Sequence, residues 1–202
     1  SIADLAGNTL TGATVNISTF RISLSAGWNL ISIPAYVSNI SISTLFADIS
    51  SNLIIVWNYD ATTGQWKSYS PSIGGELTNV EGGRGYWVKM SASDVLEGTY
   101  PTYLEGIEVG GYPLPMPVIY MKHNAWNMIG HYVTYNQSAD TDGALKSLNG
   151  TLSSTGELLY YYDASTGTYV EIYGTGNMEP GRGYWLWVRN SAPDLSGYTV
   201  AS

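Results

Sequence analysis

The chain reads as a mainly β protein, with one short helix per unit, made by tandem duplication of a strand–helix–hairpin–strand unit. Two observations predict this class. Blocks of sequence recur in the same order at nearly constant spacing, and the segments between turns alternate apolar and polar residues with a period of two.

The recurrence comes first because it organises the rest. Gly27-Trp28-Asn29-Leu30-Ile31-Ser32 returns as Ala125-Trp126-Asn127-Met128-Ile129-Gly130, an offset of 126 − 28 = 98. Tyr59-Asp60-Ala61-Thr62-Thr63-Gly64 returns as Tyr162-Asp163-Ala164-Ser165-Thr166-Gly167, at 162 − 59 = 103. Gly83-Arg84-Gly85-Tyr86-Trp87 returns as Gly181-Arg182-Gly183-Tyr184-Trp185, again at 98. The division expected is an N-terminal strand or linker over 1–19, a first unit over 20–100, a Pro-rich connector over 101–120 and a second unit over 121–202. A further short block, residues 91–98 and 191–197, resembles the opening residues 1–7. With Ser1 rather than Met at the start, this suggests a window cut from a longer tandem array, or an opening strand that pairs with a neighbour.

Each element then has its own reason. Residues 9–24, rich in Thr, Val and Ile, read as strand-like, and residues 27–34 as a strand. Segments 43–49 and 142–148 carry a helix-start candidate and apolar pairs three or four apart, so each is expected to be a short helix. Residues 53–69 read as a hairpin, with Gly64 able to take a positive φ at the turn; 158–172 repeat it. In the strand after Gly85, Tyr86, Val88 and Met90 share one face, as do Tyr184, Leu186 and Val188. That face should be core, and the opposite face, with Trp87 and Lys89 or Trp185, Trp187 and Arg189, should be partly wet. Four prolines between 101 and 117 forbid a helix there and restrict pairing to an edge.

Composition narrows the function. Hydrophobic residues are 44% of 202, enough for a core, whereas charged residues are 12%, about half the usual share. The net charge of −8 leaves no basic stripe for nucleic acid, and no apolar run approaches the ~18 residues of a membrane span. The absence of cysteine rules out disulfides and thiolate metal sites. The only histidines, His123 and His131, lack counterparts in the first unit, and no hydrolase or phosphate-loop motif is present, so no catalytic residue is assigned. Gly83-Arg84-Gly85 precedes a strand rather than a helix, so a tight turn is expected there, with Arg84 and Arg182 stacked on a ring or paired with Glu81 and Glu179. Asp60 and Asp163 sit where an aspartate bonds its own turn. No cofactor is assigned; calcium is the one ion that the abundant oxygen ligands would admit, although no Asp-x-Asp/Asn loop of the calcium type occurs.

Trp66, Trp87, Tyr169, Trp185 and Trp187 are the candidates for a protein interface or a glycan contact, unless a second layer or the other unit covers them. Asn16, Asn39, Asn136 and Asn149 begin Asn-x-Ser/Thr triplets, the acceptor pattern for N-glycans on exported chains.

Gly-Trp-Asn-Leu-Ile-Ser, then Trp57-Asn58-Tyr59-Asp60 with Thr63-Gly64-Gln65-Trp66, then Gly-Arg-Gly-Tyr-Trp-Val, resembles a module of archaeal surface and S-layer-associated proteins, similar units of which are appended to secreted hydrolases. The resemblance spans roughly residues 24–90 and 121–188, and Ala125 and Gly130 depart from it. It implies an extracellular glycoprotein without catalytic residues. The expected role is structural, in a surface layer, sheath or filament that associates with identical subunits or neighbouring repeats. The alternative is a carbohydrate-binding or adhesive accessory module.

Overall fold

The computed structural model describes residues 17–34, 40–101, 108–109, 112–113, 118–139, 143–145, 158–172, 176–189 and 195–196. The opening block 1–7, the prolines at 115 and 117, and the triplet residues Asn16, Asn39 and Asn149 lie outside them.

The N-terminal half runs β1 (Ile17–Leu24), β2 (Gly27–Ile31), β3 (Ile40–Ser41), α1 (Ile42–Leu45), a 3₁₀ turn (Ala47–Ile49), β4 (Leu53–Asp60), β5 (Gln65–Tyr69), β6 (Asn79–Val80), β7 (Tyr86–Met90) and β8 (Asp94–Pro101). A short pair, β9 (Glu108–Val109) and β10 (Tyr112–Pro113), follows. The C-terminal half runs β11 (Val118–Ile119), β12 (Ala125–Gly130), β13 (Gln137–Ser138), β14 (Leu158–Asp163), β15 (Thr168–Ile172), β16 (Asn177–Met178), β17 (Gly183–Val188) and β18 (Leu195–Ser196).

Each half holds one four-stranded antiparallel sheet, in the order β2-β7-β4-β5 and β12-β17-β14-β15. Each also has two smaller pairs in corresponding places, β1–β8 and β3–β6 against β11–β18 and β13–β16. β1 pairs with β8 from Ile17 to Leu24, and β11 pairs with β18 through Val118 and Ile119.

The alternation predicted for the strands holds. Tyr86, Val88 and Met90 are buried on one face of β7, and Tyr184, Leu186 and Val188 on one face of β17. They belong to two aliphatic cores, one per half. The first core also takes Phe20, Ile22 and Leu24 from β1, and Ile42, Leu45, Phe46 and Ile49 from the helical turns. Those four apolar residues at spacings of three and four are what make a helix of so short a segment. In the C-terminal half, the described residues Gly143–Leu145 of the second expected helix form a turn.

The Trp-Asn pair opens each sheet for a reason visible in the hydrogen bonds. Asn29 is buried, accepts from Ser25 N–H at 2.9 Å and donates to Ser25 C=O at 2.8 Å. Asn127 repeats this with Lys122, at 2.8 and 3.0 Å. Each amide thus closes a turn that backbone alone leaves open. The missing glycine at Ala125 is answered one residue earlier: Gly27 takes φ 92°, whereas in the C-terminal half Asn124 takes φ 53°. Asparagine is among the few side chains that tolerate that region.

Candidate functional site

The two halves meet through reciprocal contacts. Ile31 bridges Arg182, and Ile129 bridges Arg84. Ser32 N–H donates to Gly181 C=O at 3.0 Å, and Gly130 N–H donates to Gly83 C=O at 2.8 Å. The Gly-Arg-Gly motif supplies both. Its first glycine turns the chain, with φ 77° at Gly83 and 81° at Gly181. Its second admits the other half: a Cβ on Gly183 would lie 2.6 Å from Ile31 O, and one on Gly85 2.8 Å from Ile129 O. The arginines pair locally, Arg84 with Glu81 at 3.3 Å and Arg182 with Glu179 at 3.0 Å, and Arg182 also lies 4.1 Å from the centre of the Tyr161 ring. The tight turn and local pairing expected from sequence are present, together with a junction that the motif did not announce.

At the centre of this junction equivalent positions face each other and differ. A Cβ on Gly130 would sit 2.4 Å from the Cβ of Ser32. The Arg84 carbonyl oxygen lies nearer still, so position 130 has no room for a side chain, whereas Ser32 carries one. Its Oγ accepts from His131 N–H at 3.1 Å and lies 3.0 Å from His131 C=O and 2.7 Å from Arg182 C=O.

Beside the junction the Trp/Tyr faces of the two sheets look at each other across a cleft of about 680 Å³. Trp57, Trp87, Tyr162 and Trp185 form its half-buried floor; Trp28, Trp66 and Tyr169, more exposed, form its rim. A second cleft of about 390 Å³, lined by Trp126 and Tyr160, shares Tyr169 and Trp185 with the first. The rings hold one another edge to face, except that Tyr59 and Trp185 are tilted at 48°. Trp87 meets Tyr162 at 4.9 Å and Trp28 at 5.9 Å; across the cleft Trp185 meets Tyr59 at 5.8 Å and Trp66 at 6.1 Å. Such pairs add about 0.5–1.5 kcal/mol each beyond burial, so the wall is set before any ligand arrives. Burial raises the Tyr169 phenol despite a hydrogen bond from Trp185, keeping it neutral at physiological pH.

Of the residues singled out from sequence, Trp66, Trp87, Tyr169 and Trp185 come together in the cleft. Trp187 does not line either cleft; it backs Trp126 at 5.6 Å. Trp28, Trp57, Trp126, Tyr160 and Tyr162 were missed, although strand parity could have found them. Trp57 is directly opposite Trp87 on the neighbouring strand, and Tyr160 opposite Trp185. Asn136 is exposed.

The histidines, the turn aspartates and the buried Tyr86 and Tyr184 do not line this cleft. His131 is fully buried, and its Nε2–H donates to Tyr135 C=O at 2.9 Å; burial pulls its pKa down to about 4. His123 donates from Nδ1 to Arg189 C=O at 3.0 Å. Asp60 and Asp163 accept from Thr62 and Ser165 in their own turns, at 2.6 Å to each hydroxyl. Burial of Tyr86 and Tyr184 pushes both phenols up, and each accepts a backbone N–H, from Glu81 and Glu179. Among the described residues, no three His, Asp or Glu side chains gather into a group that could hold a metal ion, and no helix is long and apolar enough to cross a membrane.

No protein-family model matches this chain, and no curated protein or solved structure matches it.

Proposed function

We propose that this chain is a non-catalytic module of the cell exterior, built from two diverged copies of one unit, and that the aromatic cleft between them is a carbohydrate-binding site. Duplication is supported by the three matched blocks and by the shared strand order of the two large sheets. The single observation that carries the binding role is the lining of the larger cleft, in which every described residue is Trp or Tyr. An aliphatic guest would be held equally well by Leu, Ile or Met, and none of these is among the described residues that line the cleft. Flat rings with part of their faces open suit the C–H faces of sugar rings, while indole N–H and phenol O–H can bond hydroxyls.

Low charge, abundant hydroxyl side chains and the repeat support placing such a module in a surface layer, sheath or filament. The binding role is tested by titrating the protein with a glycan panel. Trp87→Ala and Trp185→Ala are expected to lose binding while far-ultraviolet circular dichroism stays unchanged. Undiminished binding in both variants would remove the cleft from the function. For the structural role, electron microscopy of native material should show ordered assemblies. A monodisperse monomer by light scattering, at high concentration and across salts, counts against it.

A further inference from the structure

We infer that the two clefts form one track for a linear, uncharged polysaccharide, gripped along its length rather than at its end. This rests on the carbohydrate-binding reading and specifies its ligand. Three observations carry it.

The first is continuity. Tyr169 and Trp185 line both clefts, so a chain lying on one passes directly onto the other. The second is that, among the described residues, exposed rings lie at both ends. Trp28 and Trp126 are each 37% exposed, and Trp66 and Tyr169 are more so. A site for a chain end would close one end with a wall, whereas here exposed rings continue on either side of Trp185. The third is charge. Among the described residues, every side chain lining either cleft is Trp or Tyr, and none is Asp, Glu, Lys, Arg or His. Lys89, whose Nζ lies 5.3 Å from the centre of the Trp28 ring, stands over that ring and is not part of the lining. A uronate or sulfate would find no counter-charge among the described residues that line the clefts, and the net charge of −8 repels a polyanion as it approaches.

The test is calorimetric titration of the whole chain with glycan ladders of increasing length, in matched neutral and uronic-acid series. Affinity for the neutral series should rise with each added sugar until the track is filled, then level off. Trp126→Ala should remove the late part of that rise and weaken the longest oligomer about tenfold, the scale of one lost ring contact. Tyr160→Ala provides a second variant on the same segment, with circular dichroism checking the fold of both. Affinity that is independent of length, or a preference for the acidic series, would overturn the track while leaving carbohydrate binding in place. Binding to no saccharide at all would overturn both.

Discussion

Acidification should destabilise this protein through one residue, His131. Its side chain is fully buried, and burial lowers its pKa to about 4. In the unfolded chain the imidazole returns to about 6.5. Between those values the unfolded state carries a proton that the native state does not, so stability is lost as pH falls. The full difference of about 2.5 pK units corresponds to roughly 3 kcal/mol, of which about 2 kcal/mol is already lost at pH 5. The carboxylates act lower down. Hydrogen bonds from Asn52 and Ser165 hold Asp94 and Asp163 below the ordinary value. Asp60 is lowered too: burial is its largest single influence and works upward, but the bonds from Thr62 and Thr63 together outweigh it. All three lose their contribution below about pH 4, outside the histidine window. Urea unfolding at pH 8, 7, 6 and 5 should therefore show a decline in wild type that His131→Ile largely abolishes. Isoleucine is what the N-terminal half carries at the equivalent position, where Ile33 is fully buried. Parallel pH dependences for the two proteins would refute the assignment.

Two further outcomes follow from the same geometry. Gly183→Ala should cost about 1–3 kcal/mol by thermal unfolding, because the new Cβ meets the backbone of Ile31 and the junction must shift. Gly64→Ala should cost less, about 1 kcal/mol, because only its φ of 71° is strained and nothing lies within 4 Å of the added atom; the reverse ranking would argue against a tight junction. Asn127→Ala should cost about 1–3 kcal/mol, since the turn loses its bonds to Lys122 and Ala125, and hydrogen exchange should speed up at Lys122 N–H. Unchanged exchange there would show that the turn closes without the amide.

Much of the framework was legible because it depends on local pattern. Alternation separated Tyr86, Val88 and Met90 from Trp87 and Lys89, and burial follows that division. The hairpin turns were readable from Asp-x-Thr/Ser followed by glycine, and Gly64 and Gly167 both take φ 71° there. The candidate site was legible only in part. Trp87 and Trp185 stood out because they recur beside the Gly-Arg-Gly motif, but Trp28 and Trp57 join the same wall through strand register. Register follows from pairings between segments tens of residues apart, so a single strand does not reveal it. Ala125 and Gly130 looked like departures from the repeat. The first is compensated by Asn124, and the second is required because the Arg84 backbone and the Ser32 side chain fill the space opposite.

By itself the sequence determined the strands of the two large sheets, their buried faces and the hairpin turns, since periodicity, glycine and side-chain size act within a few residues. Tertiary structure alone decided that the two aromatic faces oppose each other and enclose a cleft. That outcome hangs on the close approach of Gly85 and Gly183 to the opposite half and on the unequal pair Ser32 and Gly130. These are steric relations between residues about a hundred positions apart, and no local pattern encodes them.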